Sequence, residues 1–119
     1  MPVNESLRPL LGQLLEIHRS AFEMGEHQVS FHALSSAAHA AEGLEDLDGL
    51  EHVAQLSRDE LAWLDAHRPQ HRLSSASAQR RRHQSIFEQL AITALAMRQR
   101  IHAEQVRQDS QRRADELAG

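Results

Sequence analysis

Nine histidines spread over 119 residues raise metal binding and proton transfer as the first chemistry to weigh. On a helix, His39-Ala40-Ala41-Glu42 puts an imidazole and a carboxylate on one face, and His32 lies seven residues before His39 on that face. A histidine–histidine–glutamate set of surface ligands is thus compatible with the spacing, but a zinc or iron site needs further ligands from a second helix. The Glu-x-x-His pairs of carboxylate-bridged di-iron bundles and the HExxH of zinc peptidases are both missing. His67 and His71 flank Pro69, which interrupts the spacing that would align them. The expectation is that the histidines are polar surface groups or hydrogen-bonded core groups, with no metal and no cofactor.

Other chemistries fall to composition. Without cysteine there is no disulfide, thiolate zinc site, iron–sulfur cluster or cysteine nucleophile. All thirteen cationic side chains are arginine, so a P-loop lysine and a Schiff-base lysine are excluded as well. Serines are plentiful, yet no nucleophile elbow and no glycine-rich phosphate loop accompanies them. No catalytic residue is assigned, and a non-enzymatic protein is expected.

Charge is unevenly distributed. Residues 1–67 hold three arginines and twelve carboxylates, net −9, whereas residues 68–119 hold ten arginines and five carboxylates, net +5. Such asymmetry serves internal pairing, pairing between subunits, or a polyanion. The sharpest basic feature is Arg80-Arg81-Arg82, placed at the expected start of a fourth helix, where arginine forks suit phosphate or carboxylate groups. No aromatic residue interleaves with it, as stacking on single strands would require. A nucleic-acid partner for Arg80, Arg81 and Arg82 is therefore the second reading, behind a protein partner.

These groups must be positioned by helices. Alanine, leucine, glutamine, glutamate and arginine dominate, tyrosine is absent, and valines and isoleucines are scattered, so a sheet has little to be built from. Helix is expected over at least roughly 70% of the chain. Asn4 or Ser6 caps a first helix with stripe Leu7, Leu10, Leu11, Leu14, Leu15, His18, Ala21 and Phe22, which Gly25 ends. His27, Ser30, Phe31, Leu34, Ala37, Ala38 and Ala41 form a second stripe, closed around Gly43. Asp46 or Asp48 caps a third helix, striped by Leu50, Val53, Ala54, Ser57, Leu61 and Leu64, widened by Leu56 and Trp63, and stopped by Pro69. One of Ser74, Ser75 and Ser77 caps a fourth, with Ile86, Phe87, Leu90, Ala94, Met97 and Ile101 on its core face. Burial is expected at Phe22, Phe31, Leu34, Leu61, Leu64, Phe87 and Leu90.

The stretch Leu14–Glu42 resembles a tetratricopeptide-type helical hairpin. Leu14 and Ile17 on the first helix, Gly25 at the turn, and Leu34 and Ala37 on the second fall where that motif places them. The chain departs from the motif at His18, Ala21, Ser30 and Glu42, and residues 44–119 show no second repeat. The resemblance implies a helical-hairpin interaction domain and carries no enzyme activity with it.

The expected architecture is an all-α, compact four-helix domain over residues 1–101, with that first hairpin and a long C-terminal helix. Its polar extension, residues 102–119, has only Val106 and Leu117 as large apolar residues and is free to fray. The apolar excess at Leu56 and Trp63 marks an expected interface, and together with the charge asymmetry it points to a homodimer. No apolar run approaches eighteen residues and the start MPVNESLRPLL has no basic leader, so a cytoplasmic protein without a membrane partner is expected.

Overall fold

Local signals along the chain set where the helices start and stop. A computed structural model describes residues 3–119, of which 82% are helical, with no strand among the described residues. Asn4 caps a 3-10 turn, Glu5–Leu7, that runs into α1, Arg8–Glu23, with Pro9 in its first turn. Next come α2, His27–Gly43; α3, Leu47–His67; the short α4, Ser75–Arg80; and α5, Ile86–Ala118.

Gly25 closes α1 in the left-handed region, at φ 77°, where a side chain would be strained. Its N–H reaches the Phe22 carbonyl at 3.0 Å and that of Glu26 reaches Ala21 at 2.8 Å, which satisfies two carbonyls that the helix leaves open. At the end of α2 the same closure is made by Glu45, at φ 51°, and not by Gly43. Gly43 is the last residue of that helix, and its lack of a side chain serves packing: a Cβ there would lie 2.5 Å from Leu7 Cδ1. Asp46 then caps α3, its carboxylate accepting from Gly49 N–H at 2.9 Å.

The expected fourth helix is divided in two. Residues 81–85 form a corner in which Arg82 takes the left-handed conformation at φ 61°, and Arg82 and His83 donate back to Gln79 and Ala78. Ser85 restarts the helix by accepting from Phe87 N–H, while its own hydroxyl donates to the Leu73 carbonyl at 2.8 Å. The corner lets α4 lie across the end of α3 and drops Phe87 into the core. Arg80, Arg81 and Arg82 thus stand at the end of one helix and in the following turn, not at a helix start.

Short connections make successive long helices antiparallel, so α1 and α3 run the same way. α2 packs against α1, α3 and α5, and α3 pairs along α5. Alanines 33, 37, 38, 40 and 41 are buried on α2 and let its neighbours approach closely. The main core joins Ala37, Ala38, Ala40 and Ala41 to Leu11, Leu50, Val53, Ala91, Ala94 and Ile101, and a second cluster gathers Leu61, Leu64 and Leu73 around Phe87. Phe87, Leu34 and Leu64 are fully enclosed, whereas Phe22 and Phe31 are only half-buried. Phe31 bridges the two clusters and meets Phe87 edge to face at 5.8 Å. From Val106 onward α5 has every side chain exposed, and the molecule measures 63 × 31 × 17 Å. No helix is long and apolar enough to cross a membrane among the described residues.

Candidate functional site

Four polar side chains stand on the apolar stripes of three helices: His18 on α1, His27 and Ser30 on α2, and Glu60 on α3. All four are buried, with Glu60 only 2% exposed. Burying a carboxylate is costly unless donors surround it, and here two do. His27 Nδ1 lies 2.7 Å from Glu60 Oε2, and the Ser30 hydroxyl donates to Oε1. Because that hydroxyl has one proton and spends it on Glu60, Ser30 Oγ accepts from His18 Nδ1 at 2.8 Å. The separation of 3.6 Å between His18 Nδ1 and Glu60 Oε1 is too long for a direct bond, so Ser30 is the link. His18 accordingly carries its proton on Nδ1.

A fifth group closes the cluster. His71, in the turn after α3, meets the His27 ring edge-on at 5.2 Å, and its Nδ1 accepts the Leu73 N–H at 3.0 Å. Burial holds the His71 ring below its ordinary value of 6.5, helped by His27, Arg72 and Arg68. Burial likewise lowers His18 from 6.5, against the opposing pull of Glu60. Both rings are therefore neutral in the folded protein at pH 7, while in the unfolded chain they take up protons near 6.5. The stability this contributes is fully present above that pH and is lost as pH falls below it toward the folded values. The urea midpoint is expected to drop between pH 7 and pH 5, and His18→Asn, which keeps a donor toward Ser30, is expected to flatten that drop. A midpoint independent of pH over this range would contradict the neutral, buried His18.

Above this cluster, α1 and α3 stand apart and leave a groove of about 500 Å³. Leu15 and Phe22 form one wall, Leu56 and Trp63 the other, and His18 and Glu60 the floor. Glu16, Arg19, His52 and Asp59 lie around the rim. Phe22 meets Trp63 edge to face at 5.4 Å and closes one end, where His67 stacks on the indole at 4.7 Å. The helical period explains the walls: 15, 18, 22 and 56, 60, 63 are successive turns of one face. The structure thus brings Leu56 and Trp63 together on one half-buried surface.

Arg80, Arg81 and Arg82 are exposed, at the end of α4 and in the turn that follows it. Arg80 donates to Ser77 Oγ at 3.0 Å and Arg81 to the Arg72 carbonyl at 2.9 Å. Ala66–Phe87 contains five arginines and no carboxylate, and among the described residues none of the five forms an ion pair. Elsewhere the two charge halves meet inside the chain, through Arg100 with Glu42, Arg98 with Glu51 and Arg58 with Glu88.

The surface histidines do not converge. His39 is exposed with Nδ1 3.7 Å from Glu42, which also pairs with Arg100, and His32 bonds Gln28. Among the described residues no group of three histidine or carboxylate side chains is placed to hold a metal ion. Sequence reasoning put His18, His27 and Ser30 on core stripes but passed over Glu60. The available signal was a carboxylate three residues after Ser57 and four before Leu64, inside the third stripe.

The chain matches no family model, and neither a curated protein nor a solved structure matches it.

Proposed function

We propose that the chain is a non-enzymatic helical interaction module that holds an apolar segment of a partner protein in the α1–α3 groove. The observation that carries this reading is the groove itself: two parallel helices with facing apolar walls, Leu15 and Phe22 against Leu56 and Trp63, that touch at the Phe22–Trp63 end and stand apart along the rest. Packed helices close such a gap, and a wall left open at this size suits inserted side chains. Ser30 and Glu60 sit beneath with no exposed nucleophile, which favours holding over reacting. The hairpin resemblance of residues 14–42 supports the same reading.

A photo-reactive residue at Leu56, on the full chain in its native cell, tests it. A discrete heterologous adduct at Leu56, absent from the same substitution at exposed Ile92 and lost in an Arg19→Glu, His52→Glu background, is expected. Adducts only with a second copy would establish the homodimer in place of a separate partner. No adduct at all would overturn the groove as an interface.

The stretch Ala66–Phe87, with five arginines and no carboxylate, favours a second reading, a polyanion at Arg68, Arg72 and Arg80–Arg82. Affinity for a short DNA duplex that falls steeply with salt, and less steeply after neutral substitution of Arg80–Arg82, would support it, since each phosphate contact adds about 0.9 to the slope.

A further inference from the structure

The groove floor has a chemical polarity. Glu60 is an acceptor, Ser30 spends its one proton on it, and His18 spends its Nδ1 proton on Ser30. The neutral imidazole then has a lone pair at Nε2. That atom has no hydrogen-bond partner among the described residues and is not one of the fully enclosed polar atoms. The His18 side chain is 8% exposed, and it lines the groove. An apolar slot with aromatic walls therefore ends on a single acceptor with no donor to meet it.

Resting on the groove reading above, we infer that the groove selects an aromatic side chain carrying a hydrogen-bond donor, a tyrosine O–H or tryptophan N–H, which docks between Leu15 and Leu56, against the Phe22–Trp63 pair that closes the end, and donates to His18 Nε2. A ring without a donor fills the slot and leaves Nε2 desolvated and unpaired, which is the discrimination that a polar group at the bottom of an apolar site provides. The chain's own composition separates the possible occupants. These 119 residues contain no tyrosine, and their one tryptophan is Trp63 in the groove wall. A second copy of these 119 residues has no free tyrosine or tryptophan to offer, so the anchor is assigned to a different protein.

Trp63 reports occupancy directly, being the only indole. The probes are N-acetyltyrosinamide and N-acetylphenylalaninamide, which differ by one hydroxyl, titrated against the full chain at pH 7.5 with excitation selective for tryptophan. Both are expected to change Trp63 emission, the tyrosine amide at about fivefold lower concentration, as one net hydrogen bond gives. In His18→Asn the ratio is expected to fall to about one, because the amide keeps a donor toward Ser30 and lacks an acceptor at the position of Nε2. Equal half-saturation in the unaltered protein would overturn the donor preference and leave the groove standing. No response of Trp63 to either amide would remove the groove reading together with it. Independently of any ligand and any variant, the ring nitrogens of His18 observed by NMR in the free protein are expected to show a proton on Nδ1 and none on Nε2; a proton on Nε2 would overturn the inference.

Discussion

Replacing Glu60 with leucine is expected to cost about 3 to 5 kcal/mol, although leucine fits the apolar stripe of α3 better than glutamate does. The loss arises because the removed carboxylate leaves His27 Nδ1 and the Ser30 hydroxyl as buried donors with no acceptor. For a domain of this size that is a large part of total stability, and the melting temperature should fall by more than about 10 °C. The companion measurement separates charge from volume. Adding His27→Phe, Ser30→Ala and His18→Leu to Glu60→Leu removes every stranded donor, including the Nδ1–H that His18 gives to Ser30, so the quadruple variant should recover most of the loss, and the coupling should be far from additive. A single-variant loss below about 1 kcal/mol would mean that the cluster is hydrated and contributes little to holding α1, α2 and α3 together.

Truncating Phe87 to alanine should be equally severe, at about 3 to 5 kcal/mol, and should act where α5 packs on α3. Phe87 is fully enclosed by Leu61, Leu64, Leu73 and the edge of Phe31, and its carbonyl accepts the Ser57 hydroxyl at 2.6 Å. Because it stands in the first turn of α5, the emptied volume lies where the corner of residues 81–85 is attached. Hydrogen exchange should therefore accelerate first in residues 75–90, ahead of α2. The half-buried Phe31 and Phe22 should each cost less when truncated. A Phe87→Ala protein that loses less than Phe31→Ala in denaturant would show that the second core cluster is not centred on this ring.

The α4–α5 corner shows why one element boundary was hard to read. Arginine, glutamine and histidine are acceptable helix residues, so Gln79–Gln84 carries no local instruction to stop. Ser85-Ile86-Phe87-Glu88 has the spacing of a capping box, which marks a helix start just after them. Arg82 nevertheless adopts a conformation it does not favour alone, and the hydroxyl of Ser85 is tied to Leu73, twelve residues earlier. Burial of Phe87 over α3 offsets that strain, and no local preference contains it.

Residue order by itself determined the helical class, the first hairpin with its glycine turn, an acidic cap at Asp46 or Asp48, the stop at Pro69 and most of the side chains each helix turns inward, because these depend on periodicity and on backbone preferences within a few residues. It also placed His18, His27 and Ser30 on inward faces one helix at a time. Only the tertiary structure decided that they meet Glu60, that Leu56 and Trp63 face Leu15 and Phe22 across a gap, and that Arg80–Arg82 stand at the end of α4 and in the following corner. The physical reason is that a side chain's face repeats every 3.6 residues whatever lies opposite, whereas which side chains touch depends on the register and spacing between helices. That spacing is set by the summed packing of distant residues, here the alanines of α2, and is not written at any one position.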